Sequence, residues 1–194
     1  FDKDDRIFSS VFFGYTEPKD YNRNNNMEIK LYQSFDPMSP LPKLLSEGSS
    51  RAEQIWIVLL GFEGNRVNSI QEEIGHIDNI VATLTVPSLK LGWVNSALEA
   101  NAHFLQGVER EQRPTIKYIS ARSPFAAYNF LCEFQSKHEK SRLQVSPLGT
   151  KANSLGVIMY AINNKDCAFI FDNPVENTRP EEEPSNITHV YEMT

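Results

Sequence analysis

A chain of 194 residues that is 40% hydrophobic and 11% aromatic can bury a proper core, and its length favours one domain, with two small ones as the alternative. Nineteen basic residues against 25 acidic ones leave a net charge of −6. That balance excludes wrapping long nucleic acid by charge alone, because neutralising phosphates needs a basic surface.

In chain order, "RIFSSVFFGY" reads as a strand and "KDYNRNNNME" as a polar, Asn-rich mobile loop. "EIKLYQSF" reads as a second strand and "PMSPLPKLLSEG" as a short helix ending at Gly48. Residues 1–53 are expected to extend the main sheet or to cover it as a lid.

From residue 54 the pattern alternates. "QIWIVLLGF" is a continuous apolar run with β-branched residues, the mark of a buried strand. "NRVNSIQEEIGHI" follows with Val67, Ile70 and Ile74 at helical spacing. "NIVATLTV" is a strand stopped by Pro87, and "VNSALEANAHFLQGV" a helix with Val94, Ala97, Leu98, Phe104 and Leu105 on one face. "TIKYIS" is a third strand. "SPFAAYNFLCEFQSKHEK" is a helix with Ser123 at its N-cap and Pro124 at N1. "RLQVS", "NSLGVIMYAINN" and "CAFIFD" complete the series as strand, helix and strand.

Repeated strand–helix alternation predicts an α/β fold. It is a Rossmann-like, mostly parallel sheet of about five core strands with helices on both faces, spanning residues 54–173. Residues 1–53 add a β-containing extension. Residues 174–194, with Glu181, Glu182 and Glu183 in a row, form an acidic, solvated tail ending in an edge strand.

No apolar run approaches the length of a membrane span, and no secretory leader is visible. Cys132 and Cys167 lie inside apolar runs without metal-ligand spacing, so both are expected to be buried free thiols. The compartment expected is the reducing cytoplasm. The first residue is Phe1, not methionine, and the chain is expected to be trimmed or cut from a longer one.

Ligands of open parallel sheets bind beyond the carboxyl ends of the strands. After the first core strand comes "GFEGNR", where Gly61 and Gly64 let backbone approach a ligand and Asn65 and Arg66 open a helix. It has neither the dinucleotide fingerprint nor the phosphate-loop Lys-Ser/Thr motif. After the third strand come Ser120, Arg122 and Ser123. After the fourth come Gly149, Thr150 and Lys151.

Arg66, Arg122 and Lys151 are cations at helix starts, where the helix dipole favours anions instead. Their convergence predicts an anion pocket. Lys90 and Trp93 lie on the same edge, Trp93 reading as core packing. Asp172 and Asn173 follow the fifth strand as turn or ribose contacts.

Catalytic chemistry is harder to assemble. His76, His103, His138 and His189 are scattered, and no serine-nucleophile elbow appears. Glu63 is the acid on the ligand edge, with Asp172 as the candidate for a second carboxylate of a paired-carboxylate site: Glu63 is a general acid or base if the chain is an enzyme, otherwise a group orienting Arg66 or a ribose hydroxyl. No metal and no cofactor is called for.

"LGTKANSLGVIMYA", with Gly149, Thr150 and Lys151 between a late strand and an apolar helix, resembles the CRISPR-associated Rossmann fold (CARF) sensor domains and the related SAVED domains. Leu148 stands where members of that group often carry a further glycine. The resemblance implies a sensor of antiviral defence that binds a cyclic oligonucleotide at the carboxyl edge, works as a homodimer and switches a fused or partner effector. It also implies that Thr150 and Lys151 contact ligand phosphate.

Three readings follow. The first is a domain that senses a nucleotide or another small phosphorylated ligand. The second is an enzyme on the same fold that cleaves or transfers a nucleotide or sugar-phosphate bond through Glu63. The third is a structural domain of a larger assembly.

Overall fold

The computed structural model describes residues 10–20, 35–36, 53–74, 76–107, 113–171, 173–174 and 183–193. The elements are β1 (Val11–Pro18), β2 (Phe35–Asp36), β3 (Gln54–Leu59), α1 (Gly64–Glu73), β4 (Asn79–Thr85), α2 (Trp93–Ala100) and α3 (Ala102–Gln106). They continue with β5 (Thr115–Ile119), α4 (Pro124–Lys137), β6 (Arg142–Pro147), α5 (Lys151–Asn163), β7 (Ala168–Phe169), β8 (Asn173–Pro174) and β9 (Pro184–Met193). Most of the predicted Asn-rich loop and of the second N-terminal strand, and all of the short helix before Gly48, lie outside the described residues.

The chain divides into two compact units. The larger is an α/β layer structure around a five-stranded sheet in the order β5-β4-β3-β6-β7, every pair parallel. The Rossmann-like prediction holds for this unit. β3 is central: the chain steps outward from it through β4 and β5, then returns to its other side with β6 and β7. Strand order therefore reverses between β3 and β6.

β3 shows why its sequence carries no polar alternation. Ile55, Ile57 and Leu59 join a core cluster with Leu131 of α4 and Val157 and Tyr160 of α5. Trp56, Val58 and Leu60 join the opposite cluster with Val67 and Ile70 of α1, Ala97 of α2 and Phe104 of α3. With helices on both faces, every position of the strand after Gln54 is inside and the run from Ile55 must be apolar throughout.

Two elements differ from expectation. The single helix predicted over residues 94–108 breaks into α2 and α3 at Asn101, where φ is −107° and ψ 14°. The Asn101 Nδ2 group donates to the carbonyls of Ala97 (2.7 Å) and Gly61 (2.8 Å), so the side chain competes with the helical ladder and ties it to the loop after β3. The predicted strand "CAFIFD" is reduced to Ala168–Phe169, because it pairs at the edge of the sheet with β6 alone.

β2 and β8 form a short antiparallel pair. The smaller unit is an antiparallel ribbon of β1 and β9, in register from Val11 opposite Met193 to Thr16 opposite Thr188. The first strand of the N-terminal extension thus pairs with the strand expected in the tail. Within the ribbon Phe13 stacks on Tyr191, and buried Glu17 bonds the His189 ring.

Both cysteines are free thiols, Cys167 buried and Cys132 half-buried. Burial pushes the Cys167 thiol up to about 12, only partly offset by Arg142. At pH 8 almost no thiolate forms there, so Cys167 is expected to resist iodoacetamide in the native protein and to react after unfolding, as mass spectrometry of the alkylated peptide would record. Native labelling at a free-cysteine rate would contradict the packing of this core. No helix among the described residues is long and apolar enough to cross a membrane.

Candidate functional site

The reversal of strand order brings the loops that follow β3 and β6 to the carboxyl edge of the sheet, where open parallel sheets bind their ligands. They carry the glycine-rich stretches singled out in the sequence, "GFEG" and "LGTK". The loops touch. A β-carbon on Gly61 would overlap the carbonyl oxygen of Leu148, and one on Gly149 would come within 3.3 Å of the Leu60 carbonyl oxygen. A β-carbon on Gly64 would likewise overlap the Ala100 carbonyl, where α1 begins against the end of α2. The backbone approach expected to serve a ligand at Gly61 and Gly64 is taken up by the chain itself: neighbouring strands of backbone fill the space.

The three predicted cations separate into two kinds. Arg66 is buried, with its Nη1 3.5 Å from Glu63 Oε2 and its guanidinium 5.9 Å from the centre of the Phe171 ring. Both side chains of this ion pair are about nine-tenths buried, so the charge of Arg66 is balanced inside the protein. Glu63 sits at the N-cap position of α1 without bonding its amides, and its partner is Arg66. The contact with Arg66 is the pairing set out for Glu63 in a binding domain.

Arg122 and Lys151 are exposed instead. The Arg122 amide donates to Ser120 Oγ (3.3 Å), and its Nη2 reaches the Leu89 carbonyl at 3.5 Å. Lys151 is the first residue of α5, and Thr150 is that helix's N-cap. The Thr150 hydroxyl accepts from the Asn153 amide and donates to the Ala121 carbonyl, both at 3.3 Å. That second bond joins the loop bearing Lys151 to the loop bearing Arg122. Asn65 is exposed and Ser120 half-buried.

Ser123 holds the N-cap position of α4 in extended backbone but makes no side-chain cap; Pro124 at the start supplies the preset φ. Trp93 packs edge-on against Phe62 at 5.5 Å with Lys90 Nζ 5.0 Å above its ring, which agrees with the core reading. Asp172 lies outside the described residues.

The arrangement can therefore offer an anion the start of α5 and the exposed cations beside it, while the Arg66–Glu63 pair holds the opposite loop. Sequence reasoning missed Phe171 as the ring under Arg66. It also missed two buried polar residues near this edge, Thr83 and Asn153. A signal existed for Asn153: it falls at helical spacing with Gly156, Val157 and Tyr160, so a polar residue stood on an apolar stripe. No family model and no curated protein matches the chain.

Proposed function

We propose that this chain is a ligand-binding domain that takes a small phosphorylated ligand of the nucleotide class at the carboxyl edge of its parallel sheet. The observation that carries the reading is the reversal of strand order between β3 and β6, with the Gly149–Thr150–Lys151 turn opening α5 at that point. Phosphate lies against the first turn of α5 and Lys151, with Arg122 on the neighbouring loop. Engagement of Glu63 by Arg66 favours binding over catalysis, since this acid, the one at this edge among the described residues, already has a charged partner. The resemblance at the same turn supports a sensor of antiviral defence, acting as a homodimer in the cytoplasm and controlling an effector.

Thermal unfolding against mononucleotides, dinucleotides, cyclic oligonucleotides and sugar phosphates tests this. A ligand at a hundredfold its dissociation constant adds about 2.7 kcal/mol, readable as a rise in melting temperature. The rise is expected for a nucleotide and is expected to vanish in Lys151→Ala. A panel without any shift would favour the structural-domain reading instead.

A further inference from the structure

Two buried polar side chains near the carboxyl edge find no hydrogen-bond partner among the described residues. Asn153 is 0% exposed with both Nδ2 and Oδ1 unbonded, and Thr83 is 1% exposed with its Oγ1 unbonded. Buried polar groups in folded proteins are nearly always satisfied, so each such group calls for an explanation.

The fold puts them on the same side of the sheet. Along β4, Ala82 and Leu84 belong to the cluster under α1 and α3, whereas Val81 belongs to the cluster under α4 and α5. Strand side chains alternate, so Thr83 shares the face of Val81. Asn153 lies one turn ahead of Val157 and two ahead of Tyr160, both in that same cluster, which sets it on the inward stripe of α5. Helical side chains lean toward the helix start, so Asn153 leans toward the carboxyl edge. Thr83 is two residues from the end of β4 at that edge.

Above this ground runs the Thr150–Ala121 hydrogen bond. It joins the start of α5, which follows β6, to the loop after β5, and so crosses the ends of β3 and β4. At 3.3 Å it is long for a hydroxyl-to-carbonyl bond and can be exchanged for another partner.

We propose that Asn153 and Thr83 form the polar floor of a subsite beneath this bridge, and that they read the hydrogen-bonding edge of a nucleobase. The inference rests on the ligand-binding reading above. A carboxamide presents a donor and an acceptor side by side, the pattern that matches an adjacent acceptor and donor on a base edge. The Thr83 hydroxyl adds one group that can give or accept. The ligand's phosphate stays at Lys151 and the first turn of α5, and the base enters when the Thr150 hydroxyl lets go of Ala121.

Isothermal titration of inorganic phosphate, ribose 5-phosphate, AMP, GMP, CMP and UMP into the wild-type chain, Asn153→Ala and Thr83→Val tests the assignment. The wild type is expected to prefer one nucleotide over ribose 5-phosphate by at least about tenfold, the value of one good bidentate contact. Asn153→Ala is expected to erase that preference while leaving ribose 5-phosphate binding unchanged, and Thr83→Val to reduce it. Thr83→Val is close to isosteric, so it provides an independent readout if Asn153→Ala folds poorly. A base preference that survives in the variants, or a wild type that binds ribose 5-phosphate as well as any nucleotide, would overturn the subsite and leave the parent reading standing. A wild type that binds none of these compounds would overturn the subsite, and the parent reading would fall with it only if the dinucleotides and cyclic oligonucleotides of the wider panel also failed to bind.

Discussion

Gly61→Ala is expected to destabilise the α/β unit by about 3 kcal/mol, the upper end of the usual cost of overpacking. The added methyl would overlap the Leu148 carbonyl oxygen, which is backbone and cannot rotate away. The Gly61 carbonyl also accepts from the buried Asn101 side chain, so a shift of the loop would strain the junction of α2 and α3 as well. Chemical denaturation should show a lower midpoint with an unchanged slope. Because the contact lies between the two loops at the switch in strand order, ligand binding should weaken too. A variant as stable as the wild type would mean that the β3 and β6 loops are not packed as described.

Trp56→Ala is expected to cost more, about 4 kcal/mol, within the range for removing a large aromatic from a core. Trp56 is fully buried in the central strand and lies edge-on to Phe104 at 5.7 Å. Its indole N–H donates to the Ser146 hydroxyl at 2.9 Å, a buried bond that ties β3 to β6 beside the switch in strand order. Against a total stability of about 5–15 kcal/mol, one such loss leaves a domain that is partly unfolded at moderate temperature. Trp56→Phe separates the two contributions: it keeps much of the packing and orphans Ser146, so a smaller loss of about 1–3 kcal/mol is expected. Equal losses in both variants would assign the effect to the hydrogen bond rather than to volume.

The parallel core could be read from its sequence because burial on both faces leaves a direct mark. "IWIVLL" has no polar position, and the helices between strands keep their apolar spacing. Strand order was not legible, since every core strand looks alike and only the three-dimensional packing ranks them. The break at Asn101 escaped for a similar reason: its side chain finds the Gly61 carbonyl far away in sequence. The pairing of β1 with β9 joins the two ends of the chain, beyond the reach of any local pattern.

At the site, each cation could be picked out by its misplacement at a helix start. What distinguishes them could not. Arg66 meets Glu63 three residues earlier and Phe171 from the far side of the fold, while Arg122 and Lys151 stay exposed. Glu63 and Arg66 are close enough in sequence for the pairing to be anticipated, yet its burial depends on residues more distant in the chain. Thr150 combines a local role, capping α5, with a distant one, the Ala121 carbonyl. Only the first is written in its neighbours.

A phosphorylated ligand that binds where the strand order reverses must perturb the loops at that edge first. Backbone amide NMR, titrated with the nucleotide that stabilises the chain most, tests it directly. The largest shifts are expected at Gly149, Thr150 and Lys151 and in the loop from Gly61 to Glu63, fading toward the amino edge around Gln54 and Asp78. Saturable shifts centred on the amino edge, or on the β1–β9 ribbon with the α5 start unmoved, would contradict it.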